Sequence, residues 1–396
     1  MSESSRVVAG VMSGTSADGM DVALVRIGGR DLQTHYELLA HRHYAYPRPV
    51  RAQILRMMNA ANASVADLSR LNFLLGELYA DAVLKTQRAA KMKASLIGCH
   101  GQTLYHQGEA APFLGRRITA TWQTGEAAII AARTGIPVVS DFRPADLAAG
   151  GKGAPLVPLL DYIYFRHPRH GRIVQNLGGI ANLTAIPAAA EPEDVIALDT
   201  GPGNMVIDAV TQEFFHRPYD ADGRIAARGR IISLVVEKIL RQPFFRRPPP
   251  RTAGREEFGA AFVRDFIRLC RAHNAKPADM VATATALTAV SISCAIEFFV
   301  AGLFSENKEP KTKEFAELIL SGGGTKNPIL VRMISGTVAP LKLKVILSDS
   351  LGLPSQAKEA VAFALLAYQT WNRRPGNLPS ATGAKRPAIL GKISFP

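Results

Sequence analysis

Asp199 closes the apolar stretch Val195-Ile196-Ala197-Leu198 and is followed at once by Thr200-Gly201-Pro202-Gly203-Asn204. A carboxylate at the end of a strand, held by a loop that proline stiffens, is aimed outward and kept still. It has the chemistry of a general base, or of a group that binds a cation through water. It fits equally an Asp that caps the turn or the helix starting at Met205. A second cluster is Gly14-Thr15-Ser16-Ala17-Asp18-Gly19-Met20-Asp21. Its small residues let backbone N–H groups converge on an anion. Ser13, Thr15 and Ser16 add hydroxyls, and Asp18 and Asp21 suit Mg²⁺ held through water. A tight hairpin with Asx turns has the same composition. The lysine of a Walker A loop is missing.

Other candidates are individually weaker. Gly178-Gly179 and Gly322-Gly323-Gly324 each follow an apolar run, where a nucleotide can approach bare backbone. Arg143 stands between Asp141 and Asp146 and is either a clamp for a carboxylate or phosphate or one half of an internal ion pair. His100-Gly101-Gln102-Thr103 offers Gln102 and Thr103 to sugar hydroxyls, and His100 reads as structural. Glu359 is a lone acid on the apolar stretch Ala357–Leu366, and a buried carboxylate needs partners or a ligand.

The elements that must carry these groups alternate. Val7–Met12 and Val22–Ile27 read as a hairpin around the first cluster, and Leu38–Tyr46 as a further strand. Arg48–Asn59, Val65–Arg88 and Thr124–Thr134 have helical spacing. Leu96–Cys99 reads as a short strand entering the His100 loop, and Pro137–Ser140 as another entering Asp141. The pattern then restarts: Ile173–Asn176 and Ala181–Ile186 flank Gly178-Gly179, and Gly14 and Gly178 lie 164 residues apart (178 − 14). Val195–Leu198 and Glu317–Leu320 read as later strands, and Met205–Phe214, Ala260–Ala272, Ala286–Val300, Pro328–Gly336 and Ser355–Trp371 as helices. Two Gly-turn hairpins, one opening each half, indicate a duplicated α/β domain with a cleft between the copies. The Ala148–Pro158 passage is the expected crossing between them.

With 396 residues, 47% hydrophobic and 20% charged, the chain can bury a sizeable core. Global disorder, collagen and coiled coil are excluded. Three separated cysteines exclude a disulfide framework and suit a reducing cytoplasm. The net charge of +14 attracts anions without choosing among them. Val281–Phe304 has the length of a membrane span but carries Glu297 and a stripe of Ser and Thr, so it reads as a core helix. The start, MSESSRVVAG, lacks the basic n-region and long apolar h-region of a signal peptide, so none is expected. A cytoplasmic enzyme is expected, without membrane or nucleic-acid partners and compatible with a homodimer.

Seven segments occur in order: GVMSGTSADGMDVALV, GCHGQTLYH, SDFRPADLAAGGKGAPLVP, QNLGGIANLT, ALDTGPGN, LILSGGGTKNP and KEAVAFALLA. Together they resemble the anhydro-N-acetylmuramic acid kinases of bacterial peptidoglycan recycling, from Val7 to about Gly391. The resemblance implies two ribonuclease H-like lobes of the actin/hexokinase type with ATP between them. The expected lobes are 1–148 with 377–396, and 149–376. It implies that ATP, water and 1,6-anhydro-N-acetylmuramic acid give N-acetylmuramic acid 6-phosphate and ADP. Asp199 matches the family's base, the Gly14–Asp21 loop its phosphate loop, and Gln102, Thr103, Arg143 and Glu359 its sugar pocket. Ala253 replaces a usual hydroxyl in the stretch Arg251–Glu256. Other readings are a levoglucosan-type kinase, whose sugar lacks the lactyl and N-acetyl groups, and an ATP-gated binding module without sugar chemistry.

Overall fold

The computed structural model describes residues 5–14, 16–30, 33–249, 251–300 and 315–396. The chain divides into two compact units, Met1–Tyr164 with Gln356–Pro396, and Phe165–Ser355. In the first, β1 (Arg6–Ser13), β2 (Gly19–Gly28) and β3 (His35–Ala45) form an antiparallel meander. β4 (Leu96–Phe113) runs parallel to β1 and is hairpinned to β5 (Arg116–Thr124). β6 (Val138–Ser140) lies parallel to β4, and the tail strand Lys392–Ser394 closes the edge antiparallel to β6.

The second unit repeats this plan. β7 (Gly171–Leu177), β8 (Ala181–Ile186) and β9 (Ile196–Gly201) are a meander. β10 (Phe315–Ser321) then lies parallel to β7, and β11 (Lys344–Leu347) parallel to β10. In each sheet the meander's first strand is central, with the later parallel strands on its other side. This is the ribonuclease H-like order. Its double occurrence gives the α/β, two-lobed architecture of the actin/hexokinase class, and it is the physical content of the repeat read from Gly14 and Gly178.

Apolar alternation explains the first sheet: Val11, Leu24 and Ile97 face a core shared with Leu75 and Tyr79 of helix Val65–Ala90. That helix starts where the Ser64 hydroxyl accepts the Asp67 N–H, a cap typically worth about 1 kcal/mol. On the sheet's other face helix Lys358–Trp371 comes unusually close. A Cβ on Gly10 would overlap the Ala360 carbonyl oxygen, and one on Gly98 that of Phe363. Alanines and glycines thus seat this helix directly on β1 and β4, which fixes the position of Glu359. In the second unit helix Pro277–Ala295 is the core helix, continued by a wide turn at Ile296–Val300. It is long and apolar enough to cross a membrane, yet 72% of its most apolar window is buried inside the protein. Its polar stripe is spent internally: Thr285 donates to the Val281 carbonyl and Thr288 to that of Gly203. The C-terminal part of the expected span, 301–304, lies outside the described residues.

Two expectations are corrected. The crossing to the second unit falls after Tyr164, and the return after Ser355, where 148 and 376 were expected. The Gly/Ala/Pro passage serves a different purpose. Asp146, fully buried, accepts from the Gly153 N–H (2.7 Å), the Asn377 amide (2.6 Å) and the Thr382 hydroxyl (2.8 Å). The passage therefore folds against the C-terminal tail inside the first unit. The strand at Leu96 also runs on through the His100 loop, because Gln102 and Thr103 pair with Thr124 and Gln123 of β5.

Candidate active site

Asp199 lies in β9, paired with Asn182 of β8. The segment Arg251–Ala253 is laid along it as a strap. Asp199 N–H donates to the Arg251 carbonyl (2.9 Å), and Arg251 Nε donates back to the Asp199 carbonyl (2.8 Å). The Ala253 N–H donates to Asp199 Oδ2 at 2.6 Å. Position 253 thus acts through its backbone, and the missing hydroxyl removes nothing from this contact. Burial away from water pushes the carboxyl up to about 7, with Glu256 adding to the rise. The Ala253 N–H and the Arg251 charge pull the other way. The result is a half-buried carboxylate with one oxygen pinned and an affinity for protons matched to neutral pH.

Arg251 escaped the sequence reading. Its side chain is 2% exposed, and it is the largest of the fully buried ones. Nη1 donates to the carbonyls of Phe244 (3.2 Å), Phe245 (3.1 Å) and Arg247 (3.2 Å). The guanidinium lies 4.8 Å from the Phe244 ring centre and 4.9 Å from that of Phe299. Burial lowers its pKa to about 10, so it stays charged. Asp208, on helix Met205–Phe215, is also raised to about 7, by burial and by Asp220. Among the described residues no strap of this kind holds it, and it sits within a helix.

In the first unit, the turn between β1 and β2 is closed by an Ala17 N–H bond to the Gly14 carbonyl (3.2 Å), with Ala17 left-handed at φ 52°. Ala17 and Met20 are buried. Asp18 is exposed and its Oδ1 accepts from the Ser16 hydroxyl (2.7 Å). Gly19, Met20 and Asp21 belong to the β2 ladder. Asp21 Oδ1 is taken by two histidines of β3, His41 at 2.9 Å and His43 at 3.3 Å. Thr15 lies outside the described residues. Ser13, read as a phosphate donor, instead turns inward: its hydroxyl donates to Gln102 Oε1 at 2.6 Å and meets Tyr46 at 2.8 Å. Gln102 is wholly buried, and its Nε2 donates to the Gly14 carbonyl (3.1 Å). Both ends of that amide brace the turn, so its side chain is not presented to a sugar.

Arg143 pairs with neither neighbouring aspartate. Its Nε and Nη2 donate to His100 Nε2 (3.2 and 2.9 Å), and its Nη1 to the Gly153 carbonyl (2.7 Å). Burial and the Arg143 charge push His100 down to about 3, so it is a neutral acceptor that aims the guanidinium. Burial likewise lowers Arg143 to about 10, opposed by the charges of Glu359 and Asp146. Glu359 is half-buried at the start of its helix. Burial raises its pKa; Lys358 and Arg143 oppose the rise, and Asp21 adds to it. The Lys358 charge is committed to Asp161, 2.7 Å away, both side chains being buried. Thr103 is half-buried and its hydroxyl accepts from Gln123 Nε2 (3.3 Å). Arg143, Glu359 and Asp21 thus form one charged cluster.

The glycines of the second unit divide into two kinds. At Gly322 (φ 88°) and Gly324 a side chain would collide with Asn176 and with Leu177 and Asn204. Gly178 is also close-packed, its carbonyl accepting from Asn204 N–H (2.8 Å) at the start of helix Met205–Phe215. Among the described residues, nothing lies within 4 Å of a would-be Cβ at Gly323, and at Gly179 only the Met205 methyl does, at 3.7 Å. These two present open backbone.

Comparison with known proteins bears on this geometry. The family model for anhydro-N-acetylmuramic acid kinase matches residues 6–396. The anhydro-N-acetylmuramic acid kinase of Caldanaerobacter subterraneus is 43% identical over 98% of this chain and 97% of its own length. That of Bacillus cereus is 41% identical over 98% and 99%. A solved ROK family glucokinase from Streptomyces griseus, in complex with glucose and AMPPNP, aligns with 92% of this chain and 99% of its own, at 12% identity and a TM-score of 0.39. A likeness that distant carries no inference about this chain. On the near-complete match of model and relatives, the chain belongs to the anhydro-N-acetylmuramic acid kinase family.

Proposed function

We propose that Asp199 is the general base of a hydrolytic phosphorylation. The chain is an ATP-using kinase, and its acceptor is the small anhydrosugar 1,6-anhydro-N-acetylmuramic acid. That sugar ties O6 to C1 and has no free 6-hydroxyl, so phosphorylation must accompany ring opening. Asp199 takes a proton as the water oxygen bonds to C1. The C1–O6 bond breaks, O6 bonds to the γ-phosphorus of ATP, and the bond from that phosphorus to ADP breaks. The products are N-acetylmuramic acid 6-phosphate and ADP. O6 needs no acid, because the phosphoryl group captures it.

The observation that carries this reading is the Asp199 carboxyl, pinned at one oxygen by the Ala253 N–H and raised to about 7. An ordinary exposed carboxylate is too weak a base to do as well at neutral pH. Arg143 and Glu359 bind the sugar, Arg143 suiting its lactyl carboxylate, and the Thr103 hydroxyl is a further candidate contact. In the first unit the turn between β1 and β2 offers backbone N–H groups to phosphate, and in the second Gly179 and Gly323 offer open backbone to a nucleotide. Asp18, exposed beside Ser16, fits a cation held through water; Asp21, occupied by two histidines, does not. When bound there, Mg²⁺ supplies neutralisation of phosphate charge. The setting is the cytoplasm, in peptidoglycan recycling.

Mass spectrometry of the products from ATP and 1,6-anhydro-N-acetylmuramic acid in ¹⁸O water tests the reading. One label in the sugar phosphate, at C1, supports it. Label in inorganic phosphate with the sugar intact refutes it.

A further inference from the structure

Arg251 touches no group that reacts, yet its placement is costly. Burying a guanidinium is unfavourable unless every donor finds a partner. Here the Nε and Nη1 donors meet backbone carbonyls, and one of these is that of Asp199. Packing alone would have been met by an apolar side chain of similar volume between Phe244 and Phe299. What a guanidinium adds is directional. Nε fixes the Asp199 carbonyl while the Arg251 carbonyl holds the Asp199 N–H, so residue 199 is gripped on both sides of its α-carbon. Two residues on, the same strap delivers the Ala253 N–H to Oδ2.

We propose that Arg251 is the positioning residue for Asp199: it locks the strap Arg251–Ala253 along β9, sets the direction of the carboxylate, and places a fixed positive charge behind it. The proposal rests on Asp199 being the base, and it goes further by giving the base its holder. The charged groups facing Asp199 are Arg251, which favours its ionised form, and Glu256, which opposes it. Removing the guanidinium leaves burial and Glu256 unopposed except by the Ala253 N–H. The base then holds its proton to higher pH and loses its aim. Turnover falls, its acid limb moves upward in pH, and Mg-ATP affinity does not change.

The test measures sugar turnover against pH, and the dissociation constant of Mg-ATP, in full-length Arg251→Met, Arg251→Lys, Asp199→Asn and the double variant Arg251→Met/Asp199→Asn. The expected result for Arg251→Met is a kcat loss of roughly tenfold or more, an acid limb shifted to higher pH, and no further loss when it is added to Asp199→Asn. Arg251→Lys, which keeps the charge without the fork, should lose several-fold in kcat with its limb little moved, and it carries the test if Arg251→Met does not fold. Normal kcat and an unmoved limb in the Arg251 variants, with Asp199→Asn inactive, overturn the proposal and leave the base standing. Near-normal turnover in Asp199→Asn overturns the reading beneath it. Additive losses in the double variant also overturn the proposal, since they assign Arg251 a role that does not pass through Asp199.

Discussion

Asp199 in the second unit and Glu359 in the first are both carboxyls raised by burial, and they are held in opposite ways. Asp199 has a neutral N–H on one oxygen and a backbone grip on its own residue. Glu359 sits among charges, with Arg143, Asp21 and Lys358 acting on it together. A base must be still and must keep its proton affinity near the working pH. A sugar-binding acid needs charged company that a ligand can complete. On the proposed roles, the two carboxyls differ in that one has an oxygen pinned by a backbone N–H and the other lies among side-chain charges.

The largest effect that separates them is Asp199→Asn. It keeps the shape and one acceptor but removes the basic oxygen, and kcat should fall by about 10²–10⁴. The Mg-ATP dissociation constant, measured in the same protein, should be unchanged; a large rise would move Asp199 from base to metal support. Glu359→Gln should act mainly on KM for the sugar, by roughly tenfold, the scale of one charge-assisted hydrogen bond. A kcat loss as deep as that of Asp199→Asn would erase the distinction drawn here.

Arg143 sharpens the binding side. Levoglucosan lacks the lactyl carboxylate, so it should be the poorer substrate by roughly tenfold or more in kcat/KM. In Arg143→Ala that preference should shrink, both sugars being turned over poorly. An undiminished preference would place carboxylate recognition elsewhere. The smallest effect is expected from Asp208→Asn. Asp208 shares the raised pKa of about 7 but lies in a helix and, among the described residues, has no strap. Steady-state turnover should be little altered, and a loss like that of Asp199→Asn would mean that the raised pKa, without the geometry, is what matters.

Much of this was legible in the residues. Apolar runs broken by Gly turns gave both meanders, and Asp199 stood out because Leu198 and Pro202 bracket it. The duplicated plan followed from two hairpins alone. What stayed hidden depends on contacts distant in sequence. Gln102 reads as a free amide until Ser13 and the Gly14 carbonyl, both 88 or more residues away, take its two ends. Asp146 and Gly151–Gly153 look like a linker because the tail residues Asn377 and Thr382 that fix them come 231 and 236 residues later. Arg251 lies in a basic, proline-rich stretch that has the composition of a solvated loop. The carbonyls of Phe244, Phe245, Arg247 and Asp199 turn it into a buried anchor. Asp21 matched a metal-binding pattern by spacing, and strand register gave it to His41 and His43 instead.

The pH dependence of kcat for 1,6-anhydro-N-acetylmuramic acid, at saturating Mg-ATP, tests the central claim most directly. The base acts in its ionised form, so activity is lost as pH falls through its pKa. With the carboxyl at about 7, kcat should be level above that pH and drop about tenfold for each unit below it. The residual activity of Asp199→Asn should lack this limb. A profile that stays flat down to the ordinary carboxylate range near 4, or a limb near 7 that survives in Asp199→Asn, would contradict the account.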